Sequence, residues 1–182
     1  SLAWALWEVG FDGWGLVPRV VGVTVLFMLA LTVSPLLHGT PNMWTTAVGD
    51  EKLGLVYLPI SNSSIDYYGG NRSEAENKYS DSLVAVDVTT GRDVWHFQAM
   101  HRDLWDYDLG SQPSMLDYPG ADGRPVAAIL LPTKQGDMYI FERATGKPLI
   151  PIGSVKAPKL GSVEPSVVSD TQPTSGWHSL RP

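Results

Sequence analysis

Hydrophobicity along this chain changes character once. Residues 20–37 read VVGVTVLFMLALTVSPLL, with no charged side chain. At ~1.5 Å per residue a helix over this run reaches roughly 27 Å, close to the thickness of a bilayer's hydrocarbon core. The pattern predicts a transmembrane helix over residues 20–37. A signal peptide would instead open on a basic stretch and close on a small-residue cleavage site. Here a Trp-rich stretch comes first (Trp4, Trp7 and Trp14), and Trp favours the membrane interface. Arg19 precedes the run and no Lys or Arg follows until Lys52, so the positive-inside rule puts the N-terminal end in the cytoplasm and the remainder outside. The chain opens on Ser1 rather than Met, which fits a start inside a longer protein.

Beyond residue 38 the pattern becomes one of short strands. Residues 55–58, 83–88, 94–98, 126–131 and 137–142 are alternating or apolar runs rich in Val, Ile and aromatics. Turn signals separate them at residues 50–54, Thr90-Gly91, Gly123 and Thr145-Gly146. Residues 83–91 (LVAVDVTTG) align with 138–146 (MYIFERATG), so that Asp87 falls on Glu142 and Gly91 on Gly146. Each copy is a strand, an acid, a Thr-Gly turn and an expected return strand, at Val94-Trp95 and at Leu149-Ile150. A repeat of about 50 residues has the size of a propeller blade. The expected fold is all-β, a partial β-propeller of two to three blade-like units preceded by the membrane helix. Domains divide into an anchor over 1–38 and a partial propeller over 39–182. Two or three blades cannot close a ring, so open strand edges should aggregate unless another chain supplies the missing blades.

Composition narrows the function classes. The 182 residues are 43% hydrophobic and 18% charged, with 18 Gly, 14 Pro and 7 Trp, a turn-rich and aromatic mixture suited to an all-β domain. A net charge of −6 speaks against a nucleic-acid partner. The absence of Cys excludes disulfides and thiolate metal sites.

Several stretches resemble the membrane-bound quinoprotein (PQQ-dependent) glucose dehydrogenases and their quinate/shikimate relatives: residues 39–44 (GTPNMW), 50–59 (DEKLGLVYLP), 66–72 (DYYGGNR) and 101–108 (HRDLWDYD). Residues 83–95 resemble the tryptophan-docking repeat of that family's eight-bladed propeller. The Trp-rich start and the apolar run resemble the end of its multi-helix anchor. The resemblance implies oxidation of a sugar or polyol by hydride transfer to pyrroloquinoline quinone (PQQ), with electrons passed to ubiquinone. It further implies a bacterial inner membrane location with the β domain in the periplasm. Glucose is the expected substrate and quinate or shikimate the alternative, towards which residues 66–70 lean. Family members carry several hundred residues between the anchor and this part of the propeller, so the chain resembles an internally deleted or partial form.

The resemblance also assigns roles. Asp106 matches the catalytic base that takes the hydroxyl proton. Lys134 matches the basic residue at the quinone oxygens, where a cation stabilises growing negative charge. Trp44 matches the indole on which the cofactor ring stacks. Asn62 matches a ligand of Ca2+ or Mg2+, for which a neutral amide oxygen is suited. Asp103 and Asp108 are expected to be structural. The family's carboxylate metal ligand lies upstream of these blocks, in a region this chain lacks. The isolated chain is therefore expected to bind PQQ weakly. The competing readings are a non-catalytic, membrane-anchored binding module and an inactive remnant.

Overall fold

The computed structural model describes residues 41–159 and 164–177, all within the compact unit Gly39–Pro182. The membrane helix expected over residues 20–37 lies outside the described residues. Among those residues, no helix is long and apolar enough to cross a membrane.

The described residues form a four-stranded, a three-stranded and a two-stranded antiparallel sheet. In the first, β1 (Val48–Asp50), β2 (Leu55–Ile60), β3 (Ser82–Asp87) and β4 (Asp93–Gln98) lie in sequence order. The second orders β5 (Ser114–Pro119), β6 (Pro125–Pro132) and β7 (Met138–Glu142). The third pairs β8 (Ile152–Lys156) with β9 (Thr171–Ser175). All five strands read from hydrophobic patterning are present; β1, β5, β8 and β9 are additional. A short helix, α1 (Glu74–Tyr79), sits in the β2–β3 connection. Ser73 caps it: its hydroxyl accepts from the Glu76 N–H while the Glu76 carboxylate accepts from the Ser73 N–H. This reciprocal pair satisfies donors that so short a helix leaves open.

The aligned turns fold alike. Gly91 N–H donates to Asp87 O and Asp87 N–H to Arg92 O, and Gly146 and Glu142 repeat the pair with Glu142 O and Lys147 O. In each, the Thr hydroxyl donates to the acid three residues earlier (Thr90 to Asp87, Thr145 to Glu142). Both glycines adopt positive φ, +69° and +71°, which closes the turn without a Cβ penalty. The copies then diverge. After Gly91 the chain returns as β4, but after Gly146 the expected return strand at Leu149-Ile150 shrinks to an isolated bridge, Phe141 to Pro148. Leu149 N–H still donates to Ile140 O. The next rung would need an N–H from Pro151, which has none. Met138 O accepts instead from the Ser175 hydroxyl, and the chain leaves to form β8 with β9.

The core lies between the first two sheets. Leu55 and Tyr57 from β2 and Leu83 and Ala85 from β3 meet Ile129 and Leu131 from β6 and Tyr139 and Phe141 from β7. Inward residues alternate along each strand, as the two-residue side-chain period requires. Phe97 packs against Tyr139 and Phe141 with ring centroids 4.7 and 4.8 Å apart. Fully burying each such side chain stabilises by about 1.5–3 kcal/mol. Trp95 locks the sheets together: its indole N–H donates to Arg143 O at 3.0 Å, as does the Tyr57 hydroxyl. Its ring lies against Gly146, where an added Cβ would sit 2.6–2.8 Å from ring carbons.

Candidate active site

Three loops converge beside this core, and a fourth segment adjoins them. The first, residues 99–109, leaves β4 and is shaped by Asp103. That buried carboxylate accepts from the N–H groups of Trp105 (2.8 Å) and Tyr107 (2.5 Å), folding the loop around itself. Arg102 and Asp106 take positive φ of +48° and +65°. Such values are uncommon outside Gly and more accessible to Asp than to most residues. The second loop joins β6 to β7 and carries Lys134, with Gly136 at φ +83° closing the turn. The third follows β2 and carries Asn62. The fourth, residues 41–47, precedes β1 and carries Trp44.

Lys134 joins the first two loops. Its ammonium donates to Asp106 O at 2.8 Å and to Asp108 Oδ2 at 3.0 Å, and lies 3.5 Å from Asp106 Oδ2. The other Asp108 oxygen accepts from Asn62 N–H at 2.9 Å. Asn62, Asp106, Asp108 and Lys134 therefore form one cluster from three loops. Asp108, expected to be structural, is the carboxylate nearest the Lys134 ammonium, whereas Asp103 does act structurally. Trp44 stands apart as an exposed indole, 72% accessible. Its segment is tied to the cluster through Asn42 O, which accepts from Ser61 N–H at 2.7 Å.

Electrostatics separates the two clustered carboxyls. Burial, with the hydrogen bond and charge of Asp108, raises the Asp106 carboxyl above its ordinary value, against the opposing charge of Lys134. Burial also acts on Asp108, but the Asn62 N–H and Lys134 outweigh it and hold that carboxyl low. Lys134 is itself raised: its burial is overcome by Asp108 and Asp106. The arrangement is a proton acceptor of increased basicity beside a fixed cation.

A divalent ion does not fit the described residues. Asn62 is buried, its side-chain oxygen accepts from Ser63 N–H at 2.9 Å, and its amide donates to Asp66 O at 3.1 Å. No group of three or more His, Asp or Glu among the described residues is arranged to hold a metal. The lysine ammonium also occupies the space between the two carboxylates. A planar cofactor fits better. Trp44 offers an uncovered ring face, and Lys134 a cation at the cluster. A separate cleft of about 540 Å³, bounded by Trp105, Tyr107, Gln135 and Lys156, opens beside the 99–109 loop, and Trp44, Lys134 and Asp106 do not line it.

Two contributors escaped the sequence reading. Arg72 donates to the carbonyls of Asp103 (2.5 Å), Ser63, Ile65 and Asp66, clamping the Asn62 loop to the Asp103 loop. Asp81 is fully buried behind that loop. Nothing in a charged residue beside α1 or at a strand start announces either role.

Comparison with known proteins places these features. Residues 34–182 match the β-propeller domain of PQQ-dependent glucose/ethanol/alcohol dehydrogenases. The glycerol dehydrogenase large subunit of Gluconobacter thailandicus is 49% identical over 145 residues, covering 79% of this chain and 20% of that protein. The quinate/shikimate dehydrogenase (quinone) of Acinetobacter baylyi is 41% identical over 76% of this chain and 17% of its own length. The quinoprotein glucose dehydrogenase of Escherichia coli is 38% identical over 79% and 18%. The chain thus spans about a fifth of the length of these relatives. Among solved structures, quinohemoprotein alcohol dehydrogenase ADHIIG of Pseudomonas putida HK5 superposes with a TM-score of 0.52 at 31% identity, covering 63% of this chain and 17% of that one. A europium-containing methanol dehydrogenase gives 0.53 at 26% identity, over 63% and 20%. With two blade-like sheets and a family match over most of its length, this chain belongs to the PQQ-dependent dehydrogenase β-propeller family.

Proposed function

We propose that this chain carries the proton-accepting loop of a PQQ-dependent dehydrogenase that oxidises a polyol, and that Asp106 and Lys134 do its chemistry. The observation that carries this reading is the Lys134 ammonium held between Asp106 and Asp108 at the mouth of three converging loops. PQQ supplies a two-electron acceptor for the hydride. Asp106 takes the hydroxyl proton at its carboxylate, made more basic by burial and Asp108. Lys134 keeps positive charge beside that proton acceptor and favours negative charge growing on a nearby acceptor oxygen. Trp44 presents its exposed face as a stacking plane. A Ca2+ or Mg2+ ion at Asn62 requires oxygen ligands from outside the described residues.

The identity to glycerol dehydrogenase large subunits, 49% against 38% for the glucose enzyme, moves the preferred substrate from glucose to an acyclic polyol. Quinate is the next candidate at 41%. Electron transfer to a membrane quinone is supported by the quinone-linked relatives and by the charge-free run over residues 20–37. That run anchors the chain with its β domain on the periplasmic side.

The test is a chimera in which residues 41–177 replace the matching fifth of the Gluconobacter thailandicus glycerol dehydrogenase large subunit. PQQ-dependent dye reduction with glycerol, glucose and quinate is then measured. Glycerol turnover that falls by roughly 10²–10⁴-fold in Asp106→Asn is expected, the usual worth of a positioned base. Unchanged turnover in Asp106→Asn would remove Asp106 from the chemistry. Preference for glucose or quinate would overturn the substrate assignment. The isolated chain should bind PQQ more weakly than micromolar, because most of a propeller's central pocket comes from other blades.

A further inference from the structure

Asp81 is fully buried at the start of β3, with φ at +51°. Its backbone is committed: the N–H donates to Ser61 O and the carbonyl accepts from Ala99 N–H at 2.8 Å. These bonds tie the root of the Asn62 loop to the root of the 99–109 loop. The side chain has no hydrogen-bond partner on either oxygen. The charged groups facing it are Asp103, Asp106 and Asp108 from the site loop and Arg72 from the connection before α1.

The charge of Arg72 favours the ionised form, but Arg72 forms no hydrogen bond to this carboxyl. That guanidinium directs its donors at four backbone carbonyls and gives none to a carboxylate. Lys134 is taken by Asp106 and Asp108. Asp103 is better placed to hold negative charge, because two N–H groups point at its oxygens. A second buried carboxylate with no donor would carry a penalty that the Arg72 charge offsets only in part.

We infer that Asp81 is a positioning residue: an un-ionised carboxylic acid that supports the 103–108 loop from the protein interior and so holds Asp106 at Lys134. The inference rests on the proposed role of Asp106 only for its catalytic meaning, not for the state of Asp81. Burial, then the charges of Asp103 and Asp108, push the Asp81 carboxyl up to about 9. Burial lifts Asp103 to about 6, with the Trp105 and Tyr107 N–H groups opposing. At neutral pH the proton belongs to Asp81. Because its folded value lies above the ordinary 3.8, its contribution to stability is complete below that pH. It is lost as pH rises towards the folded value.

Two variants of the purified full chain test this. Asn keeps the shape, tolerates positive φ and cannot ionise; Gly keeps the backbone without strain and removes the side chain. Thermal melting is followed as a function of pH. Asp81→Asn should melt with wild type near pH 4 and progressively above it as pH rises towards 9. Asp81→Gly should melt below Asp81→Asn throughout. Carboxyl carbon NMR of Asp106 supplies the positioning readout. Its titration should stay raised in Asp81→Asn and relax towards an ordinary carboxylate in Asp81→Gly. Parallel melting curves for wild type and Asp81→Asn would show that Asp81 is ionised. An Asp106 titration unmoved by Asp81→Gly would show that Asp81 positions nothing. Neither readout depends on turnover, so failure of the proposed reaction would leave both outcomes readable.

Discussion

At the residue scale the site is a matter of which carboxylate meets which cation. Lys134 touches two acids with opposite tendencies: Asp106 is raised and Asp108 lowered. Its positive charge favours ionisation of both. Replacing it by a neutral side chain of similar length, Lys134→Met, should therefore raise both carboxyl titrations. Asp108 should move more, since its oxygen lies closer, at 3.0 Å against 3.5 Å. Carboxyl NMR of the labelled chain measures this directly, and unmoved resonances would mean that the ion pairs do not persist in solution. Asp106 and Lys134 became candidates through the family resemblance, Asp106 within the distinctive string 101–108 and Lys134 28 residues after it. Asp108, Arg72 and Asp81 did not. Their roles depend on partners 46, 31 and 18–20 residues away along the chain (Asn62, Asp103, and Ser61 with Ala99). An acid on a loop has the same local signature whether it is solvated or buried.

At the element scale the repeat is real in its turns and unequal in its packing. Gly91 and Gly146 have nearly the same φ, yet a Cβ at Gly91 would meet nothing within 4 Å while one at Gly146 would strike the Trp95 ring. Gly91→Ala should cost about 1 kcal/mol, the price of left-handed backbone alone. Gly146→Ala should cost about 2–4 kcal/mol, because overpacking is added to it. Urea unfolding of the two variants separates the terms, and equal losses would mean that Trp95 swings aside freely. The Thr-Gly turns were visible in sequence because φ chemistry is local. The failed return strand after Gly146 was signalled by Pro151, but its consequence depended on Ser175 taking the Met138 carbonyl. Strands β5, β8 and β9 (SMLDYP, IGSVK, TQPTS) lack a sustained apolar alternation, and β8 and β9 are held chiefly by pairing with each other.

At the scale of the whole molecule, the described sheets form a core between two blades and leave strand edges and apolar side chains uncovered. Val88, Val94 and Leu53 are exposed around the first sheet, and Met115 on the second. Unpaired edges and exposed apolar surface favour association with another chain. Size-exclusion chromatography with light scattering should find residues 41–177 self-associating as concentration rises. A monodisperse monomer over a wide concentration range would mean that these edges are protected in solution.

The sequence by itself determined the all-β class, the five principal strands, the paired Thr-Gly turns, the family, and the identities of Asp106, Lys134, Trp44 and Asn62 as candidates. Each of these is written in contiguous residues through side-chain period, turn chemistry or motif. Only the tertiary structure decided that Lys134 sits between Asp106 and Asp108, that Asn62 spends its side chain on its own loop, and that Asp81 lies buried among acids. Those facts are set by which distant segments pack together, and by how much water that packing excludes from each charge.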